Sequence, residues 1–286
     1  MYPKHYLDRY TYLKFFSPLN NQQIEAPISG YGSGWGARWQ TNRGNGYEPG
    51  RGAECQREYA LLRDAVRIAH HGNAHTPCGP RFRFDQTPLG LIPSYEEFYP
   101  ETFIHALLGK GSPDEIIDTL RIAMAVGRIG SERDMNKMLP ARATAAKYAN
   151  DLMTLDCNGL VGNFYGGDPS ASIDAYATPG RARKSLAEVR AFDCIVTHCP
   201  SIHFEHIALV GDVKPAGGAK VTIDVVEWGW FGGESTHYRP QTVEIVQGPL
   251  KQYGVGWKII SPHDNTTPSF RYIFAPPPPQ ESHGWS

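Results

Sequence analysis

The sequence predicts an α+β chain, helical in its first half and built of antiparallel strands in its second. Three observations carry that reading. Apolar residues recur at helical spacing in Tyr59, Leu62, Val66 and Ala69, and again in Ile116, Leu120, Ala123 and Val126. Further on, short apolar runs follow one another at hairpin spacing over 206–213, 220–228, 241–247, Trp257–Ile260 and Tyr272–Ala275, for which an antiparallel sheet is the simplest arrangement. Between the halves lies Thr154-Leu155-Asp156-Cys157-Asn158-Gly159-Leu160-Val161-Gly162, where a polar triplet holding a cysteine runs into small and apolar residues. Asp156 or Asn158 can cap a helix whose first turn begins near Cys157, and the positive end of that helix favours thiolate, the reactive form.

The chain opens with an aromatic and then glycine-rich segment, Gly30-Tyr31-Gly32-Ser33-Gly34-Trp35-Gly36 followed by Gly44-Asn45-Gly46 and Gly50-Arg51-Gly52, and no regular structure is expected there. Tyr31, Trp35, Trp39 and Tyr47 could stack on sugar rings, although aromatics that pin an irregular segment to the core are the simpler account. A helix over Cys55–His71 carries Arg57, Arg63 and Arg67 on its outer face. It stops in a loop where His71, His75 and Cys78 suit zinc but lack a fourth ligand, so a polar loop is the plainer reading. Ser112-Pro113-Asp114-Glu115 has the spacing of a capping box with proline in the first turn. A third, alanine-rich helix over Ala141–Asp151 delivers the chain to the cysteine. Phe192-Asp193-Cys194-Ile195-Val196 reads as a short buried strand, and the proline-rich tail 276–286 as extended or disordered.

Composition bounds the function. The chain has 286 residues, 41% of them hydrophobic, which suffices for a packed core, and a net charge of −1 that gives no electrostatic footing for nucleic acid or an anionic membrane. No apolar stretch approaches the roughly 20 residues of a membrane span, so membrane insertion is not expected. No export signal is visible either. The five cysteines are odd in number and widely spaced, which reads as free thiols in a reducing compartment rather than a disulfide framework. Oligomeric state is not legible.

A cysteine nucleophile requires a base and commonly a third group that orients it. His206 opens the run Ile207-Ala208-Leu209-Val210-Gly211-Asp212 and is the expected base. If Val213 pairs with Lys220, His206 falls directly opposite Glu227, and cross-strand neighbours about 5 Å apart can share a hydrogen bond. Asp224 faces the other side in that register, and a slip of one residue would exchange the two acids.

Cysteine at a helix start and histidine at a strand start, forty-nine residues apart, is a papain-like layout. The two motifs, Asp156-Cys157-Asn158-Gly159-Leu160-Val161 and His206-Ile207-Ala208-Leu209-Val210-Gly211, resemble those of the NlpC-type cysteine peptidases of bacterial cell walls. The likeness covers about Ala141 to Trp228. It implies an N-terminal region 1–139 of unknown role, a papain-like hydrolase domain over 140–275 and a tail over 276–286. It further implies Cys157, His206 and Glu227 as catalytic residues, with glutamate a variant of the family's usual histidine. Asp156, Asn158 and Tyr148 are the substrate-binding residues it implies, a peptidoglycan stem peptide the substrate, and no cofactor or metal is called for. A cell-wall substrate would require release by lysis, a secretion machine or a phage particle. The family has Pro-Gly-Asp where this chain has Ala191-Phe192-Asp193, so strain is expected at that turn. Three other readings compete: a metal site of His198, Cys199, His203 and His206, acyl transfer or deamidation through the same thioester, and a non-catalytic glycan-binding module.

Overall fold

A computed structural model describes residues 1–19, 21–32, 37–39, 47–49, 52–70, 100–130, 144–200, 203–231, 234–261 and 266–278. The chain is α+β and divides into two compact units, Asp8–Leu155 and Met1–Leu7 with Asp156–Ser286. The division falls at Leu155/Asp156 rather than at 139/140, so the alanine-rich helix groups with the N-terminal unit. The candidate zinc residues His71, His75 and Cys78 lie outside the described residues.

Contrary to expectation, the first residues are regular. Helix α1 spans Pro3–Thr11, with proline in its first turn, where its missing N–H costs nothing. Tyr6, Leu7 and Tyr10 recur at helical spacing and are buried. The glycine-rich segment is also not wholly irregular. After the hairpin β1 (Lys14–Phe16) and β2 (Gln23–Glu25), strands β3 (Tyr31–Gly32), β4 (Ala37–Trp39) and β5 (Tyr47–Pro49) form a small antiparallel sheet. Strands this short carry too little periodicity to register against so many glycines.

Helix α2 spans Gly52–His70, α3 Pro100–Leu108, α4 Pro113–Ala125 and α5 Ala145–Leu152. The α4 capping box is present: Ser112 accepts the Glu115 N–H at 3.2 Å, and Glu115 accepts the Ser112 N–H at 2.7 Å. A buried polar node joins α2 to α5. Arg128 forks onto Glu58 at 2.7 and 2.8 Å, and the Tyr148 hydroxyl donates to Glu58 at 2.7 Å. Leu155 runs parallel to β3, donating to the Gly30 carbonyl and accepting from the Gly32 N–H at 3.1 and 2.9 Å, which fixes the residue just before Asp156.

The C-terminal unit holds helix α6 (Cys157–Phe164) and a curled seven-stranded antiparallel sheet in the order β10-β11-β12-β6-β7-β8-β9. Its strands are β6 (Cys194–Cys199), β7 (His203–Pro215), β8 (Lys220–Phe231), β9 (Glu234–Glu244), β10 (Val246–Gln247), β11 (Val255–Ile260) and β12 (Pro268–Phe274). The interior of the curl is an apolar cluster that includes Ile195, Ala208, Val210, Ile223, Val225, Trp257 and Ile273. The expected turn strain is present: Phe192 has φ +71, a left-handed conformation unusual for a bulky residue. Packing compensates, for its ring stacks on Phe164 with centroids 6.2 Å apart, and its carbonyl accepts the Tyr165 hydroxyl at 2.8 Å. No described helix is long and apolar enough to cross a membrane.

Candidate active site

Cys157 is the first residue of α6. Asp156 is the N-cap, its backbone extended and its carboxylate accepting the Gly159 N–H at 2.6 Å. The cap satisfies one orphan donor of the helix and leaves the thiol, itself buried, at the positive end of the helix dipole. Two glycines in an eight-residue helix are a poor choice by propensity. Packing explains one of them: a Cβ on Gly162 would stand 2.6 Å from Pro169 Cα, so the following turn closes on the helix only because no side chain is there.

Helix α6 packs on β7 and β8. His206 on β7 stands beside the Cys157 thiol, near enough for the two groups to act on each other's charge. Its Nε2 lies 3.0 Å from Glu227 Oε2, which leaves Nδ1 as the ring nitrogen for the thiol. The sheet reaches this arrangement by a different register from the one expected. Near the turn Val213 pairs with Ile223 rather than Lys220, an odd offset that would put His206 and Glu227 on opposite faces. A bulge between Val210 and Val213 takes up one residue, so that Leu209 pairs with Val226. Counting one further sets Glu227 opposite Ala208, and His206 becomes its diagonal neighbour on the same face. Asp224 is turned away and accepts the Tyr238 hydroxyl at 2.9 Å.

A fourth member went unforeseen. Arg271 on β12 donates to Glu227 Oε2 at 2.7 Å through Nη2 and to Oε1 at 3.4 Å through Nη1. His206, Glu227 and Arg271 are 2%, 1% and 3% exposed, so these charges interact with little solvent screening. Burial alone would push the Glu227 carboxyl up, but Arg271 first and His206 second bring it down to about 2. Burial would likewise lower His206, yet Cys157 and then Glu227 outweigh it and raise the imidazole to about 9. The only sequence trace of Arg271 is a lone arginine inside the apolar run Phe270 to Phe274, where an unpaired charge would be costly.

Of the other expected site residues, Asn158 is buried beside the thiol, its Nδ2 donating to the Ala171 carbonyl and its Oδ1 left without a protein partner. Tyr148 belongs to the N-terminal unit, where its hydroxyl serves Glu58. Burial, with Glu58 second, raises its pKa well above that of a free phenol. Among the described residues no three His, Cys, Asp or Glu side chains are grouped to hold a metal, and the four described cysteines are free. Comparison with known proteins finds no matching family model, no matching curated protein and no matching solved structure.

Proposed function

We propose that this protein is a papain-like cysteine hydrolase of the NlpC type that cuts peptidoglycan stem peptides through a thioester. One observation carries the reading: a thiol at the start of a capped helix stands beside an imidazole that is held by a buried carboxylate. In the proposed reaction the Cys157 thiolate attacks the carbonyl carbon, and the Cys157 N–H, left without a partner by the helix, faces the developing oxyanion. The His206 imidazolium gives its proton to the departing amine. It then takes a proton from the water that hydrolyses the thioester, which restores the thiol side chain and releases the acid. Asp156 is the proposed contact for the free amino end of the stem peptide, and the Asn158 Oδ1 an acceptor for a substrate N–H.

The test is mass analysis of cell-wall fragments after incubation with the protein. Cleavage next to D-glutamate supports the reading. Unchanged fragments, under conditions where Cys157 is reactive toward iodoacetamide, would move the substrate elsewhere while leaving the nucleophile in place.

A further inference from the structure

We propose that Arg271 is a positioning residue for the nucleophile pair, holding Glu227 in line with His206 and cancelling its charge, so that thiolate and imidazolium form in a buried site of no net charge. The inference rests on Cys157 being the nucleophile. Three geometric facts lead to it.

First, the clamp spans the inside of the curl. Arg271 pairs with Thr197 on β6, Thr197 pairs with His206 on β7, and Glu227 lies on the next strand, β8. Strands sit about 4.8 Å apart, so β12 and β8 are about 14 Å apart along the sheet, and only curvature lets these side chains meet.

Second, the contact is skewed. Arginine–carboxylate pairs are frequently forks with two comparable bonds. Here the short bond, 2.7 Å, goes to Oε2, the oxygen His206 meets at 3.0 Å, and the long one, 3.4 Å, to Oε1. Arg271 thereby fixes the oxygen that orients the imidazole.

Third, the charges balance as a set. With Cys157 and His206 ionised, the cluster holds two positive and two negative groups, which is the condition for keeping such charges buried. Beside this buried set stand the half-buried Asp156 carboxylate, which accepts the Gly159 N–H as the cap of α6, and Cys194 on β6, which burial pushes up and so keeps neutral. Loss of Arg271 leaves the cluster one unit more negative, which disfavours the thiolate and moves the acid limb of its reactivity upward.

The experiment is the rate of Cys157 alkylation by iodoacetamide against pH, read by peptide mass analysis on the full chain. The parent protein gives the reference profile, and the position of its acid limb is the quantity compared. Arg271→Gln is expected to raise the acid limb by about one unit, or about tenfold slower alkylation at the foot of the profile. Arg271→Lys keeps the charge and is expected to hold the limb within about half a unit. A folded Arg271→Gln protein with the parent's acid limb overturns the inference and reduces Arg271 to a structural staple. Where that variant does not fold, Arg271→Lys decides, since a shift of about a unit in a protein that keeps the charge contradicts neutralisation. A folded parent protein whose Cys157 is not alkylated at any pH would instead sink the cysteine-hydrolase reading itself.

Discussion

Arg271 and Glu227 form an ion pair at 2.7 Å on the carboxylate oxygen that also receives His206, so the group that orients the imidazole is itself oriented. Each of these side chains would be costly to bury alone, and each is affordable because the next one is there. The site is therefore a chain of dependencies running from β12 through β8 and β7 to the start of α6. That arrangement makes the following outcomes specific.

On the proposed function, Cys157→Ala and His206→Ala are each expected to lower any turnover of peptidoglycan fragments by about a hundredfold to ten-thousandfold or more, with circular dichroism unchanged. Retained turnover in either variant would remove the nucleophile or the base from the scheme.

Glu227→Gln is expected to be milder in rate than His206→Ala and to lower the His206 pKa, which lies at about 9 in the intact site. An amide can still accept the imidazole N–H but brings no charge to stabilise the imidazolium. Asp224→Asn should leave both rate and His206 titration unchanged, because Asp224 serves Tyr238. Histidine NMR titration of the two variants separates these outcomes.

Stability should depend on pH through the same pair. His206 rises from 6.5 to about 9 on folding, so its contribution is complete below about 6.5 and is lost as pH climbs through 9. Glu227 falls from 4.5 to about 2, so its contribution is complete above about 4.5 and is lost only as pH drops through 2. Urea midpoints should therefore be flat between the two and decline on the alkaline side. Cys157→Ala should flatten that decline, since Cys157 is the main group that raises His206.

Phe192 holds a left-handed backbone at φ +71 while its ring stacks on Phe164. Phe192→Gly gains about 1 kcal/mol of relieved strain but gives up the stack and the apolar area that the ring buries, so a net loss of about 1 kcal/mol is expected. Phe192→Val keeps the strain, adds β-branching and loses the stack, and a drop of about 2 kcal/mol is expected. Equal stability of the two would show that the turn relaxes.

Asp156→Asn tests cap against recognition. Asparagine caps a helix as well as aspartate does, so stability should stay within about 0.5 kcal/mol of the parent. If the carboxylate also holds an ammonium group, the variant should lose its preference for fragments with a free N-terminal L-alanine over acetylated ones. A parent that cuts both equally leaves Asp156 as a cap alone.

Much of the local structure was legible from local chemistry. The α4 capping box, the thiol at the first turn of α6 and the strained Ala191-Phe192-Asp193 turn each follow from residues within one or two turns of chain, and each is present. Helix α1 was missed although Tyr6, Leu7 and Tyr10 carry its pattern, because nine residues are few against an aromatic and glycine-rich background. His206 and Glu227 do meet, as the strand pattern suggested, but through a register that no hairpin count predicts. A bulge changes the parity of a pairing without leaving a period in the sequence, and here it decides which acid faces the histidine. Arg271 lies forty-four residues from Glu227, and only the curl of the sheet turns its strand toward β8. Sequence by itself determined which groups could do chemistry, since their types and local caps are written along the chain. Which carboxylate and which cation complete the site was decided by curvature and register, which belong to the sheet as a whole.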